Sequence, residues 1–137
     1  MKLSRKYNLK TGDSLVHSIE GIPGAKHFGV FLGEDHFGAE LFAENQKFVG
    51  VRVLNSEDYI AANGAPERVD RLTCSDQERY PAVRRALQEA GKPCDLVVYN
   101  CEHYAKFVQT GSSTSNQVGN VFAGLLLGAL VYCLSAD

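Results

Sequence analysis

The chain lacks the sequence features of several common functional classes. It has no C-x-x-C pair, which argues against a zinc ribbon or a thioredoxin-like motif. No basic stripe interleaved with aromatic residues occurs and the formal net charge is −2, so a nucleic-acid partner is not expected. The first residues, MKLSRKYNLKTGD, lack the apolar segment of a secretory signal. We therefore expect an intracellular protein with reduced thiols at Cys74, Cys94, Cys101 and Cys133.

The sequence predicts one folded domain, residues 1–111. The hydrophobic fraction of 45% supports a single core, and no internal repeat is visible. Strand-like segments joined by short connections predict antiparallel pairing, and helices follow them. The expected class is α+β, an antiparallel sheet with helices packed on one face. The predicted strands are 13–19, 27–33, 37–43, 47–54, 68–72 and 95–99, and the helices are 56–62, a segment after Ser75, and 101–110.

The C-terminal region differs in composition from this domain. Residues 112–117 are polar and are predicted to be a linker, and residues 118–137 form an apolar C-terminal segment. Within it, the run 118–134 has only Asn120 as a polar side chain, and at 17 residues it lies at the short end of what spans a bilayer. Two interpretations are open: a helix buried in the domain or a partner, and a membrane anchor or interfacial helix.

The stretch VVYNCEHYAKF, residues 97–107, contains the cysteine with the most informative position. Asn100 is a good helix N-cap, so the sequence predicts a helix that begins at Cys101. A thiol in the first turn of a helix lies at the positive end of the dipole, which favours the thiolate. The amide groups there can also stabilise the oxyanion of a tetrahedral intermediate. Cys101 is therefore the candidate nucleophile, and the other three cysteines are expected to be inert.

A nucleophilic thiol requires a base, and His27 is the best candidate. It begins a strand of otherwise apolar residues, where a buried imidazole needs a polar partner. His103 lies two residues after Cys101 and so points to another side of its helix. His36 is expected in a hairpin turn, and His17 at the core edge or surface.

The base in turn needs a polar side chain that orients its ring, and strand parity points to Glu40. A hairpin turn centred on residues 34–35 would pair Gly29 with Glu40 and place Glu40 on the sheet face of His27. Because a loop one residue longer would reverse the face, the assignment depends on register. Glu44 is a weaker candidate for the same role.

These segments resemble a known family. The combination HFGVFLG…AELF with NCEHYAKFVQTG is similar to the lecithin retinol acyltransferase (LRAT) domain, or H-box/NC family, of the permuted NlpC/P60-type papain-like fold. The resemblance extends from about Thr11 to Gly111. It implies that Cys101 is the nucleophile, that His27 is the general base, and that Glu40 lies nearest the position of the orienting residue. The chain departs from the pattern in lacking histidine at that third position.

The resemblance also implies a function. Cys101 would attack an acyl ester of a glycerophospholipid and form a thioester, which water or another acceptor would then cleave. The expected activity is a phospholipase A-type hydrolase or acyltransferase without a metal or other cofactor. Its expected partners are phospholipid and a membrane surface, contacted through residues 118–134. A cysteine amidase or isopeptidase stays open, and so does a non-enzymatic interaction protein, because picornaviral proteins carry the same H-box/NC pair.

Overall fold

The fold consists of four helices and five strands in the described part of the chain. A computed structural model describes residues 1–95 and 100–112. In chain order the elements are α1 (Leu3–Tyr7), β1 (Ser14–Ser18), β2 (Lys26–Glu34), β3 (Glu40–Gln46), β4 (Gly50–Asn55), α2 (Ser56–Asn63), β5 (Arg68–Asp70), α3 (Arg79–Gln88) and α4 (Cys101–Thr110). The α+β class is confirmed.

The five strands form one antiparallel sheet in the order β4-β3-β2-β1-β5. The central strand, β2, is buried on both faces, because its residues alternate between two apolar clusters. Phe28, Val30 and Leu32 point to one face, and Phe31 points to the other. The sheet is therefore the middle layer of the domain.

Helices cover both faces of this sheet, so the expectation of helices on one face is wrong. On the first face, α3 and α4 pack through Ala82, Ala86, Tyr104, Ala105 and Val108. On the second face, α1 and α2 contribute Leu3, Tyr7, Tyr59 and Ile60 around Phe31 and Phe42. The short α1 and α2 lack the long apolar periodicity that would have assigned them to a face from sequence alone.

Several predicted boundaries differ from the structure. Residues 37–39 belong to the loop between β2 and β3 rather than to β3, and β4 begins at Gly50 rather than residue 47. Ser75 and Glu78 do bond to each other, but they precede α3 instead of capping it. Some predictions fall outside the described residues. They are residues 96–99 of the predicted strand, residues 113–117 of the linker and the whole apolar segment 118–137.

Candidate active site

Cys101 is the first residue of α4, as predicted. The Asn100 side chain accepts a hydrogen bond from the His103 amide at 3.0 Å, and His103 Nδ1 accepts one from the Asn100 amide at 3.1 Å. This reciprocal capping box fixes the entry of the chain into the helix. The His103 side chain therefore has a structural role in the helix cap. Cys101 Sγ lies 3.5 Å from the Lys26 carbonyl oxygen, at the end of the sheet where β2 starts.

The structure brings His27, the first buried residue of β2, together with Cys101. His27 Nε2 lies 2.8 Å from Glu44 Oε2, which leaves Nδ1 as the ring nitrogen for the thiol. Burial alone would lower the pKa of His27, but hydrogen bonds and charge from Cys101 and then Glu44 raise it from 6.5 to about 9. The prevailing form of His27 near neutral pH is therefore the imidazolium.

Glu44, on β3, is the carboxylate that contacts the imidazole. Its side chain is fully buried, with Oε2 also 2.7 Å from Asn63 Nδ2 and Oε1 2.8 Å from Arg52 Nε. Burial by itself would raise the pKa of Glu44, but the bonds from His27, Arg52 and Asn63 lower it below its ordinary value. A buried carboxylate with these partners stays ionised and fixes the orientation of the His27 ring.

The expected contact between Glu40 and His27 is wrong. Glu40 instead accepts hydrogen bonds from the amides of Leu3 and Ser4, both at 2.8 Å, and so caps the start of α1. These bonds and that of the Ser4 side chain lower the pKa of Glu40 although burial opposes them.

The error in the Glu40 assignment lies in the register of the β2–β3 hairpin. The loop comprises residues 35–39 rather than two residues, and β2 contains a bulge between Phe31 and Gly33. Gly29 therefore pairs with Glu44. Because Glu40 and Glu44 are four residues apart on one strand, they share the face of His27 but lie about 13 Å from each other.

A second buried histidine lies beside the first. His17 on β1 is the direct cross-strand partner of His27, and its Nε2 is 2.7 Å from the Tyr59 hydroxyl oxygen of α2. Burial, and then the charge on His27, lower the pKa of His17 from 6.5 to about 4. His17 is therefore a neutral core residue, where the sequence predicted a position at the core edge or surface.

Gly29 makes room for the tyrosine that holds His17. A Cβ atom on Gly29 would lie 2.2 Å from the Tyr59 hydroxyl oxygen, so no other residue type leaves space for this ring. The ring stacks on Phe42 with a centroid separation of 4.5 Å. The sequence placed Gly29 in a motif and in the predicted hairpin register but gave no sign of Tyr59, Arg52 or Asn63 at the site.

The thiol and both histidines line one cleft of about 550 Å³. Its other walls come from the β1–β2 loop, from the ends of β3 and α2, and from Cys94. Burial and the nearby Cys101 raise the pKa of the Cys94 thiol, so Cys94 is the less reactive neighbour. His36 is exposed in the β2–β3 loop, as predicted, and lies outside the cleft.

Residues 1–95 and 100–112 contain no group of three or more His, Cys, Asp or Glu side chains arranged to hold a metal ion. No helix in that part of the chain has the length and apolar character needed to cross a membrane.

Comparison with known proteins gives no relative from which a function could be transferred. No protein-family model and no curated protein matches the chain.

Proposed function

We propose that the protein is a thiol-dependent acyl hydrolase or acyltransferase that acts on acyl esters of glycerophospholipids through a thioester on Cys101. One observation carries this proposal: a thiol at a helix N-terminus, an imidazolium and a buried carboxylate form a continuous series from Cys101 through His27 to Glu44. The series has the nucleophile, base and orienting group that covalent acyl transfer requires. The roles inferred from the LRAT resemblance are retained for Cys101 and His27 and transferred from Glu40 to Glu44.

The architecture is compatible with the permuted NlpC/P60-type fold that we propose along with the activity. The histidine strand, β2, precedes the cysteine helix, α4, in the chain, and α4 packs directly on β2 and β3. Antiparallel strands next to β2 supply the remaining polar groups. The proposal also keeps the apolar C-terminal segment, residues 118–134, as a membrane attachment.

The first chemical step is attack by the thiolate. A bond forms between Cys101 Sγ and the ester carbonyl carbon, and the carbonyl oxygen becomes an oxyanion. The Cys101 amide, the first of α4, has no acceptor within the helix and is suited to stabilise that charge. When the C–O bond breaks, His27 donates its proton to the leaving alcohol, and a thioester stays on Cys101.

The second step regenerates the site. Neutral His27 removes a proton from water or from an acceptor hydroxyl or amine, which attacks the thioester carbonyl carbon. The C–S bond breaks, the acyl group leaves with the acceptor, and the thiolate–imidazolium pair is restored. Water gives a free fatty acid and another acceptor gives a transferred acyl group, so one site supports both activities.

Mass spectrometry of the intact protein provides the test. Incubation with phosphatidylcholine should add the mass of one acyl chain, and digestion should locate it on Cys101. The variant Cys101→Ser should show no thioester and no turnover, whereas Cys94→Ser, a change in the same cleft, should keep both.

Three results would each contradict a part of this proposal. Turnover by folded Cys101→Ser would remove the nucleophile assignment. A wild-type Cys101 that reacts with iodoacetamide no faster than Cys74 near neutral pH would favour the non-enzymatic interaction protein. An adduct formed from a peptide-like amide but not from any lipid ester would favour the amidase.

A further inference from the structure

Exposed hydrophobic side chains lie at the end of the sheet that holds the candidate active-site cleft. Residues 1–95 and 100–112 contain eight large hydrophobic side chains that are exposed, and four of these lie in two loops at one end of the sheet. The four are Ile19, Ile22, Phe48 and Val49, with Phe48 the most exposed at 92%. We call residues 19–25 and 47–49, which contain them, the rim loops.

The sheet topology places both rim loops beside Cys101. In an antiparallel sheet the β1–β2 and β3–β4 connections lie at the same end, and that is where α4 begins and where Sγ contacts the Lys26 carbonyl oxygen. Ile19 and Lys47 themselves line the cleft, one from each loop. Both loops therefore lie at the end of the sheet where the cleft opens to the thiol, and each contributes one residue to its wall.

The backbone of Phe48 supports a role for its exposure. It has φ 66°, a left-handed conformation that costs an aromatic residue stability. Burial does not offset this cost, because the ring is almost fully accessible and contacts the Lys47 amine at 4.8 Å. A contact between the exposed ring and an external partner would account for an aromatic residue held in this strained conformation.

The charges at the entrance indicate which kind of partner fits. Lys47 and Glu20 line the cleft from opposite loops and have opposite signs. A surface with two apolar tips and no strong charge of one sign matches the headgroup and upper acyl region of a neutral phospholipid bilayer, in which aromatic and aliphatic side chains are stabilised.

We propose that the rim loops dock on a phospholipid bilayer and place the entrance of the Cys101 cleft against the lipid surface. This inference rests on the proposed function, since it explains how an ester in a bilayer reaches the thiol. It assigns the docking surface to the folded domain itself, in addition to any attachment by residues 118–134. Docking is expected on vesicles without net charge and is expected to persist in salt.

The chain offers a matched control for this proposal. Phe37 lies in the β2–β3 loop at the opposite end of the sheet and is also 92% exposed. The nine residues of β2 separate the two ends by about 30 Å. A bilayer that contacts the rim loops therefore cannot also contact Phe37.

Single tryptophan probes test this orientation, because the chain itself contains no tryptophan. Ile22→Trp, Phe48→Trp and Phe37→Trp are each made in full-length Cys101→Ser protein, so that lipid is not consumed and residues 118–134 are always present. Neutral phosphatidylcholine vesicles should shift the emission of the Ile22→Trp and Phe48→Trp proteins to the blue, and brominated acyl chains should quench it. The Phe37→Trp protein should keep the emission that it has in water.

Turnover provides the second measurement, with Cys101 intact. Ile22→Ser and Phe48→Ser should each lower turnover of vesicle phospholipid about tenfold, the change expected when one large apolar side chain loses its burial. Turnover of a water-soluble short-chain ester should stay unchanged, and Phe37→Ser should change neither rate.

The outcomes separate this inference from the proposed function. If both rim-loop probes keep the emission they have in water, or if all three probes are quenched equally, the docking proposal is overturned. If the rim-loop probes insert but the wild type cleaves no ester, the docking surface stands and the proposed function fails.

Discussion

Replacing Glu44 with glutamine tests the orienting group with little change in shape. The carboxylate has no solvent exposure and contacts three side chains, two of which are cationic: His27 and Arg52. Glutamine keeps one acceptor oxygen but removes the charge, so the imidazolium loses its buried counter-ion. The direct consequence is a lower pKa of His27.

The size of the effect follows from the protonation of His27. Its rise from 6.5 to about 9 corresponds to roughly 3 kcal/mol in favour of the charged ring. Burial opposes this rise, so the contributions of Cys101 and Glu44 together exceed it, and loss of the Glu44 charge should cost on the order of 1–2 kcal/mol. A change of that size moves a pKa by about one unit, so the imidazolium of His27 should be lost about one pH unit lower than in the wild type.

The assay is the rate of Cys101 alkylation by iodoacetamide as a function of pH. Glu44→Gln should slow alkylation most in the pH range just below 9, where only the wild type keeps the imidazolium of His27 beside the thiol. Because a raised pKa keeps His27 protonated up to about pH 9, wild-type turnover should fall only above that pH. The alkaline limb of Glu44→Gln should lie at lower pH.

Glu40→Gln is the matched control, because it removes a carboxylate from the same strand face that caps α1 instead of holding His27. It should destabilise the fold by about 1 kcal/mol and leave the alkylation profile unchanged. Equal, wild-type alkylation rates in both variants would refute the orienting role of Glu44. A slow rate in Glu40→Gln alone would restore the original assignment.

Two further predictions concern the helix cap and the second histidine. Asn100→Ala and Asn55→Ala each remove a side-chain cap that accepts an amide bond, so each should cost about 1 kcal/mol in thermal or urea unfolding, but only Asn100→Ala should slow alkylation of Cys101. An equal loss of alkylation in both would show a general effect of instability. His17 has a folded pKa near 4 against 6.5 unfolded, so the stability it contributes is complete above pH 6.5 and is lost as pH falls toward 4. In a Cys101→Ser background the melting temperature should fall through this window, and His17→Gln should flatten that fall; an unchanged slope would show that other groups cause it.

Local sequence signals were sufficient for the elements that carry Cys101 and His27. Three of these signals involve only a few neighbouring residues, and the structure has all of them. They are the apolar run of β2, the N-cap at Asn100 and the helix end at Gly111. These features depend on backbone conformation and nearest neighbours, which a sequence records directly. The position of a thiol at the start of α4 was therefore predictable.

The third member of the site depended on information that the sequence records poorly. The two carboxylates of β3 share one face, and only loop length and the bulge between Phe31 and Gly33 decide which of them is opposite Gly29. Arg52 and Asn63 reach Glu44 from β4 and α2, which requires the tertiary packing of those elements. Strand parity gave the correct face and the wrong residue.

The contrast between His17 and His27 is the strongest argument that this buried network serves chemistry. They are direct partners across β1 and β2, yet burial keeps His17 neutral while Cys101 and Glu44 keep His27 charged. A core without a chemical role would need only a neutral ring such as that of His17, which has one hydrogen bond to a hydroxyl group. Burying charged groups opposes folding. Neighbouring groups with oppositely shifted pKa values are typical of acid–base sites. The ionised arrangement at His27 therefore supports the proposed reaction of the Cys101 thiol.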